Sequence, residues 1–160
     1  MKFASLRISI RTFGAALALA LAATLTGQAT AGGELVKFPE NYAEGVLYAT
    51  VTRGNIKEEI FTSRAAIDAV KNGQRIPSGT VITLVDYRDG KLFRYVVMEK
   101  RTGWGAEYPP ERRNGEWEFE AFNPDKSVNR SENLDRCFSC HKPKERQDFV
   151  FTFDQMKGAK

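Results

Sequence analysis

The chain has 160 residues, with 24 basic and 20 acidic side chains, a formal net charge of +4 and one histidine. This length suits one compact domain. The positive excess lies at the start of the chain, where Lys2, Arg7 and Arg11 occur without an acidic residue, so residues 32–160 carry a net charge of only +1. Basic and acidic residues are interleaved in that part, which excludes a charge-based argument for nucleic-acid binding.

The N-terminus has the organisation of a secretory signal peptide. The basic start precedes an uncharged apolar run over residues 13–25 and the small-x-small pattern Ala29-Thr30-Ala31. The apolar run is shorter than the about 20 residues that a transmembrane helix needs. We therefore expect a signal peptide over residues 1–31, a mature chain over residues 32–160, a periplasmic or secreted location and no membrane association after cleavage. An uncleaved N-terminal anchor is the alternative.

Short β-prone runs and tight turns follow one another through the middle of the chain. Five runs are predicted as strands, over residues 46–51, 57–62, 80–87, 92–99 and 116–122. Ser63 is a favourable N-cap for a helix over residues 64–71, and Asn72-Gly73 is its stop signal. Arg88-Asp89-Gly90 predicts a hairpin turn between the third and fourth strands.

The C-terminal third is predicted from its alternation and its polar loops. Glu116 to Phe122 alternates acidic with apolar residues, which predicts a half-buried strand with Trp117 and Phe119 inward and Glu118 outward. A short helix is expected at the cysteines, and residues 148–153 predict a final strand or a packed extended tail. Because the strands come in runs joined by tight turns, we predict an α+β fold, mainly an antiparallel β-sheet with a few short helices.

The sequence Cys137-Phe138-Ser139-Cys140-His141 carries the chemistry of the chain. C-x-x-C-H is the pattern of c-type haem attachment, in which two thiols form thioethers with one porphyrin and the adjacent imidazole binds its iron. Attachment takes place outside the cytoplasm, so the motif and the export signal support each other independently. We therefore predict one covalently attached haem c, with Cys137 and Cys140 as its anchors and His141 as its axial ligand.

Three other interpretations of the two cysteines are a zinc site, a redox-active dithiol and a disulfide. A closed zinc site needs four ligands, and the chain has only two Cys and one His in total. A thioredoxin-like dithiol is expected in a βαβ unit, whereas Lys142-Pro143 follows the motif at once. A disulfide between Cys137 and Cys140 stays open, but it would leave His141 unexplained.

The single histidine also bears on the sixth iron position. Met98 and Met156 are the remaining sulfur ligands of the mature chain, and methionine is more often a packing residue. We therefore favour a five-coordinate iron that binds small ligands, since electron-transfer cytochromes usually fill both axial sites. A Met98 or lysine ligand would reverse this expectation and make the protein an electron carrier.

The sequence resembles the cytochrome P460 family over about residues 38–153. The resemblance is carried by Cys137 to His141 with the following residues 148–152, and by weaker matches upstream. Those weaker matches are Phe38 to Tyr42, Ile76 to Val81, Gly103 to Gly105, and Trp117 to Phe119. The resemblance implies a mainly antiparallel β fold with one haem and a proximal histidine, often in a homodimer. If the protein transfers electrons, a redox partner protein is also expected.

The resemblance implies two functional branches. P460 proteins oxidise hydroxylamine and carry a lysine–porphyrin bond and a distal carboxylate, whereas cytochromes c′-beta have an apolar distal pocket and bind nitric oxide or carbon monoxide. Leu84 falls at the position of the cross-linking lysine, so the P460 chromophore is not expected. Glu99 falls near the distal carboxylate, although a solvated strand-end position is the simpler interpretation. Phe61 and Phe93 are further candidates for an apolar distal wall, with core packing as the alternative.

These observations favour a periplasmic mono-haem protein that binds a small diatomic or nitrogenous ligand. The alternatives are a hydroxylamine-oxidising enzyme with Glu99 as proton acceptor, and an electron-transfer cytochrome with Met98 as distal ligand.

Overall fold

The computed structural model describes residues 35–160. The predicted signal peptide, residues 1–31, lies outside this range and stays a prediction. Within residues 35–160, no helix combines the length and the apolar character that crossing a membrane requires.

A five-stranded antiparallel sheet forms the centre of the fold, and its spatial order is the order of the sequence. The strands are β1 (Val46–Arg53), β2 (Ile56–Thr62), β3 (Val81–Arg88), β4 (Lys91–Lys100) and β5 (Trp117–Phe122). Each strand pairs with its sequence neighbour. Short turns join β1 to β2 and β3 to β4, whereas a helix lies between β2 and β3 and residues 101–116 lie between β4 and β5. Together with three short α-helices, this sheet confirms the predicted α+β class.

Helix α1 (Arg64–Lys71) connects β2 to β3 and begins and ends where its sequence signals indicate. The Ser63 side chain accepts a hydrogen bond from the Ala66 amide at 3.2 Å. At the other end the amide of Gly73 donates to Val70 O and that of Gln74 to Ala69 O, which is a Schellman ending. This geometry requires a left-handed residue, and Gly73 has φ +70°.

The two faces of the sheet are covered by different parts of the chain. Residues that alternate along β2, β3 and β4, including Ile60, Ile82 and Met98, pack against the three helices; we call this the helical face. The opposite face, with Val85 and Val97, is covered by the N-terminal residues 36–42, and we call it the N-terminal face. The helices are α1, α2 (Asp135–His141) and α3 (Phe153–Gly158).

Two predictions about the C-terminal third were wrong. Strand β5 is buried on both faces rather than one, because the short 3₁₀ helix at Trp104–Glu107 packs against it and the Tyr108 hydroxyl donates to Glu118 Oε2 at 2.9 Å. Residues 148–153 do not form a strand: Asp148 and Phe149 turn the chain with φ values of +51° and +62°, and α3 follows.

Candidate cofactor site

Helix α2 presents the Cys-x-x-Cys-His segment against the helical face of the sheet. Its central residue, Phe138, is buried against the rings of Phe119 and Tyr108, with centroids 4.9 and 5.5 Å away. The side-chain amide of Asn114 donates to Phe138 O at 3.0 Å, which fixes the helix backbone as well. A 3₁₀ segment, Lys142–Gln147, continues the chain beyond α2.

The two thiols lie three residues apart on α2, a spacing that places side chains on one face of a helix. Both thiols are free, so the structure gives no support to a disulfide. Burial, and secondarily the nearby Glu132 carboxylate, raises the pKa of Cys137 to about 11, so this group is a protonated thiol at neutral pH. In residues 35–160 no three or more Cys, His, Asp or Glu side chains are grouped as a metal ion would require.

His141 is held in one orientation by its neighbours. Its Nδ1 atom lies 2.6 Å from the carbonyl oxygen of Phe149, and its ring lies between Phe119 and Phe151 at centroid distances of 4.9 and 5.0 Å. Burial lowers the pKa of His141, which favours the neutral imidazole. Because a carbonyl can only accept, Nδ1 carries the proton and Nε2 keeps its lone pair for a metal.

A cavity of about 400 Å³ adjoins His141 and the helical face of the sheet. This volume lies within the range of about 300–1,000 Å³ that is usual for ligand and cofactor sites. The aliphatic side chains of Ile60, Leu84 and Val96 form part of its wall. The remaining lining residues are Val51, Arg53, Glu58, Ile82, Met98, Phe119, Cys140, His141, Val150, Phe151 and Thr152.

Comparison with known families decides the class of protein. Residues 39–152, most of the chain, match the cytochrome P460 family. The chain belongs to this family. Membership makes it a c-type haem cytochrome of the P460 kind. No curated protein gives a significant match to the chain.

The residues present fit the haem that the cytochrome P460 family uses. Two free thiols lie on one helix face, and an imidazole with an available Nε2 borders an apolar cavity that also contains Cys140. Cys137, Cys140 and His141 are therefore the residues that would hold the group, and His141 would supply the axial nitrogen.

Of the distal residues predicted from the family resemblance, the structure brings only Leu84 to the cavity. Glu99 and Phe61 lie on the N-terminal face. Each directly follows a residue of the helical face in the sequence, and consecutive side chains of a strand point to opposite faces. Glu99 accepts from Arg101 Nε at 2.5 Å, and the Phe61 ring packs on Tyr42 at 5.3 Å.

Phe93 also lies away from the cavity. It is exposed, and the Arg88 guanidinium lies 3.6 Å from its ring centroid. The assignment of Glu99, Phe61 and Phe93 to a distal pocket is therefore corrected: strand register turns Glu99 and Phe61 to the N-terminal face, and Phe93 is not among the residues that line the cavity.

The cavity contains a charged pair that the sequence analysis did not identify. Arg53 at the end of β1 donates to Glu58 Oε2 on β2 at 2.8 Å, and both residues line the cavity. The Glu58 side chain is only 16% exposed, against 60% for Arg53. Glu58 precedes Ile60 by two residues and therefore lies on the same face of the sheet. The sequence could have predicted its position in the cavity only if the face that meets the cavity had been known.

The two methionines of the described chain occupy different environments. Met98 lines the cavity, next to Phe119 in the β4–β5 register. Met156 on α3 is fully buried in the core cluster and is not among the lining residues. Met98 is thus the methionine that can compete for the iron.

Proposed function

We propose that this chain is an exported cytochrome with one haem, joined through thioethers to Cys137 and Cys140 and ligated by His141, that binds small neutral molecules such as nitric oxide or carbon monoxide. The observation that carries the proposal is the pairing of the sole histidine of the chain, oriented through Nδ1, with an adjacent cavity walled by aliphatic side chains. The predicted signal peptide supports export.

The haem supplies an iron that binds diatomic molecules; the side chains around it decide which ones. Leu84, Ile60 and Val96 cannot donate a hydrogen bond. Dioxygen gains much of its binding strength from a distal donor, whereas carbon monoxide and nitric oxide bind without one. These aliphatic side chains therefore favour the two ligands over dioxygen, and Arg53, the charged donor among the lining residues, is paired with Glu58.

Covalent attachment is tested by haem staining after denaturing electrophoresis of protein expressed in a host that matures c-type cytochromes. Cys137→Ala and Cys140→Ala are expected to weaken or abolish the stained band. Ser139→Ala is the matched control, because Ser139 lies between the two cysteines and its exposed hydroxyl contacts only the Arg136 carbonyl among the described groups. An undiminished band in both cysteine variants, or an intact mass equal to the bare polypeptide, would contradict the proposal.

Ligand binding is tested by absorption spectroscopy of the purified haem protein. A five-coordinate iron gives a high-spin spectrum that shifts when nitric oxide or carbon monoxide is added. A low-spin spectrum that neither ligand alters would refute ligand binding and would instead favour an electron carrier with Met98 on the iron.

A second candidate function, oxidation of hydroxylamine, is favoured by the position of Glu58. This carboxylate lies in the cavity, is largely shielded from solvent and is paired with Arg53, so it can accept a proton from a bound nitrogen compound. It replaces Glu99 in that role. Leu84 lacks the amine of the cross-linking lysine, so activity would have to proceed without that bond.

This second function is tested by hydroxylamine-dependent reduction of an artificial electron acceptor. Glu58→Gln is expected to abolish a turnover that the wild-type protein shows. Glu59→Gln is the matched control, because Glu59 is the next residue on β2, lies on the N-terminal face and pairs with Lys57 at 2.6 Å. Absence of turnover in the wild type, or equal turnover in both variants, excludes Glu58 as a catalytic base.

A further inference from the structure

The backbone is strained directly beside the histidine. Asp148 and Phe149 are consecutive non-glycine residues with φ values of +51° and +62°. Aspartate tolerates this left-handed region, whereas a bulky aromatic residue is rarely found there. Such a conformation persists where the surrounding structure holds it in place, and it is concentrated at functional sites.

An ion pair holds this turn from the end of strand β4. Lys100 Nζ lies 2.6 Å from Asp148 Oδ2, with the two side chains 12% and 17% exposed. The same carboxylate accepts from the Ile76 amide at 3.3 Å, and its second oxygen faces Trp117 Nε1 at 3.4 Å. Lys100 also donates to Ile76 O at 3.0 Å, so the pair is built into the fold by several contacts.

The strained turn directs one carbonyl at the histidine. Phe149 donates its amide to Lys144 O at 2.8 Å, and its own carbonyl oxygen lies 2.6 Å from His141 Nδ1. In an extended conformation, as the sequence alone predicts, this carbonyl would point elsewhere. Lys100 and Asp148 contact neither the imidazole nor the cavity beside it. Their ion pair nevertheless holds the turn that carries the Phe149 carbonyl.

We propose that Asp148 and Lys100 are positioning residues for His141. By fixing the Phe149 carbonyl they maintain a short hydrogen bond to Nδ1–H, which raises the basicity of Nε2 as an iron ligand. A more basic axial nitrogen stabilises ferric over ferrous iron and so lowers the reduction potential. This inference rests on the proposed function in one respect, that His141 ligates the haem iron.

The test is the reduction potential of the intact haem protein, measured by spectroelectrochemistry in variants of the pair. Lys100→Met keeps an unbranched stem and removes the cation, and Asp148→Asn removes the anion while still tolerating the left-handed conformation. Both variants release the carbonyl, so both are expected to raise the potential. An effect of up to about tenfold on the ferric–ferrous equilibrium corresponds to about 59 mV for one electron.

The sign of the two shifts separates positioning from a plain charge effect. Removing a cation near the haem favours ferric iron, whereas removing an anion favours ferrous iron. A charge effect would therefore move the potential down in Lys100→Met and up in Asp148→Asn, while positioning moves it up in both. Lys100→Arg keeps a cation that can form the ion pair, so its reduction potential is expected to lie closer to the wild-type value than that of Lys100→Met.

Arg101→Met is the control for loss of stability alone. It breaks the neighbouring Glu99–Arg101 pair just beyond β4, on the N-terminal face. It is expected to lower the denaturation midpoint without moving the potential. Shifts of opposite sign, an unchanged potential in both test variants, or a potential that tracks stability across all variants would overturn the inference. A wild-type protein without covalent haem would instead refute the proposed function.

Discussion

The contact between Gly115 and Phe149 gives a prediction whose magnitude follows from the structure. Gly115 has φ +58°, and a Cβ placed on it would lie 2.9 Å from Phe149 Cε2. The Phe149 ring is buried in the core cluster, so it cannot swing aside freely. Gly115→Ala thus introduces two separate penalties, a left-handed alanine and an overpacked aromatic ring.

Gly73→Ala isolates the first penalty. Gly73 ends α1 with φ +70°, and nothing lies within 4 Å of the position its Cβ would take. A left-handed alanine costs about 1–2 kcal/mol, and overpacking a core adds about 1–3 kcal/mol. We expect the free energy of unfolding to fall by about 1–2 kcal/mol in Gly73→Ala and by about 2–5 kcal/mol in Gly115→Ala.

Urea denaturation of both variants measures this difference. A double-mutant cycle supplies a second check: in a Phe149→Ala background the Gly115→Ala penalty should fall to the Gly73→Ala level, because the clashing ring is gone. Equal losses in the two single variants, or no relief in the cycle, would show that the ring does not limit this site.

Three further predictions concern the cavity and the buried acid on β5. Leu84→Phe should slow carbon monoxide association about tenfold or more, because overpacking costs about 1–3 kcal/mol and each 1.36 kcal/mol corresponds to a factor of ten in rate. Flash photolysis measures the association rate. The control Leu47→Phe, at an exposed position, should leave this rate unchanged. Met98→Leu should cost less than about 1.5 kcal/mol and leave the absorption spectrum unchanged, whereas loss of low-spin bands would identify Met98 as an iron ligand. Glu120→Gln should stabilise the protein at pH 7.5, because burial raises the pKa of Glu120 in the folded state and its ionisation then opposes folding as pH rises. This gain should vanish below the ordinary glutamate pKa of about 4.3, and denaturation at two pH values checks it.

Features set by local sequence were predictable. Helix α1 has the predicted bounds because a serine cap and a Schellman glycine both act within one turn of its ends. The strands fall within a residue or two of their predicted limits for the same reason, since β-prone runs are separated by strong turn signals. The Cys-x-x-Cys-His motif can be recognised from the sequence alone, because its residues lie within one five-residue segment.

Features set by register or by distant contacts were not predictable. Because side chains alternate along a strand, a shift of one residue moves Phe61 or Glu99 to the opposite face, and the sequence does not specify which face meets His141. The placement of Glu58 in the cavity depends on the same choice. The turn at Asp148 and Phe149 depends on Lys100, 48 residues away, so residues 148–153 looked extended from local propensity alone.

The order of the elements along the chain bears on how the protein matures. All five strands precede residue 123, and each pairs with its sequence neighbour, so the sheet is complete without any residue of the C-terminal segment. The thiols and the imidazole follow in a separate C-terminal segment that rests on the finished sheet through Phe138 and Val150. Because this segment contributes no strand, the strands can pair before it docks on them, and under the proposed function its thiols would then still be accessible for attachment of the haem. Docking would then close the core over a cofactor that is already captured.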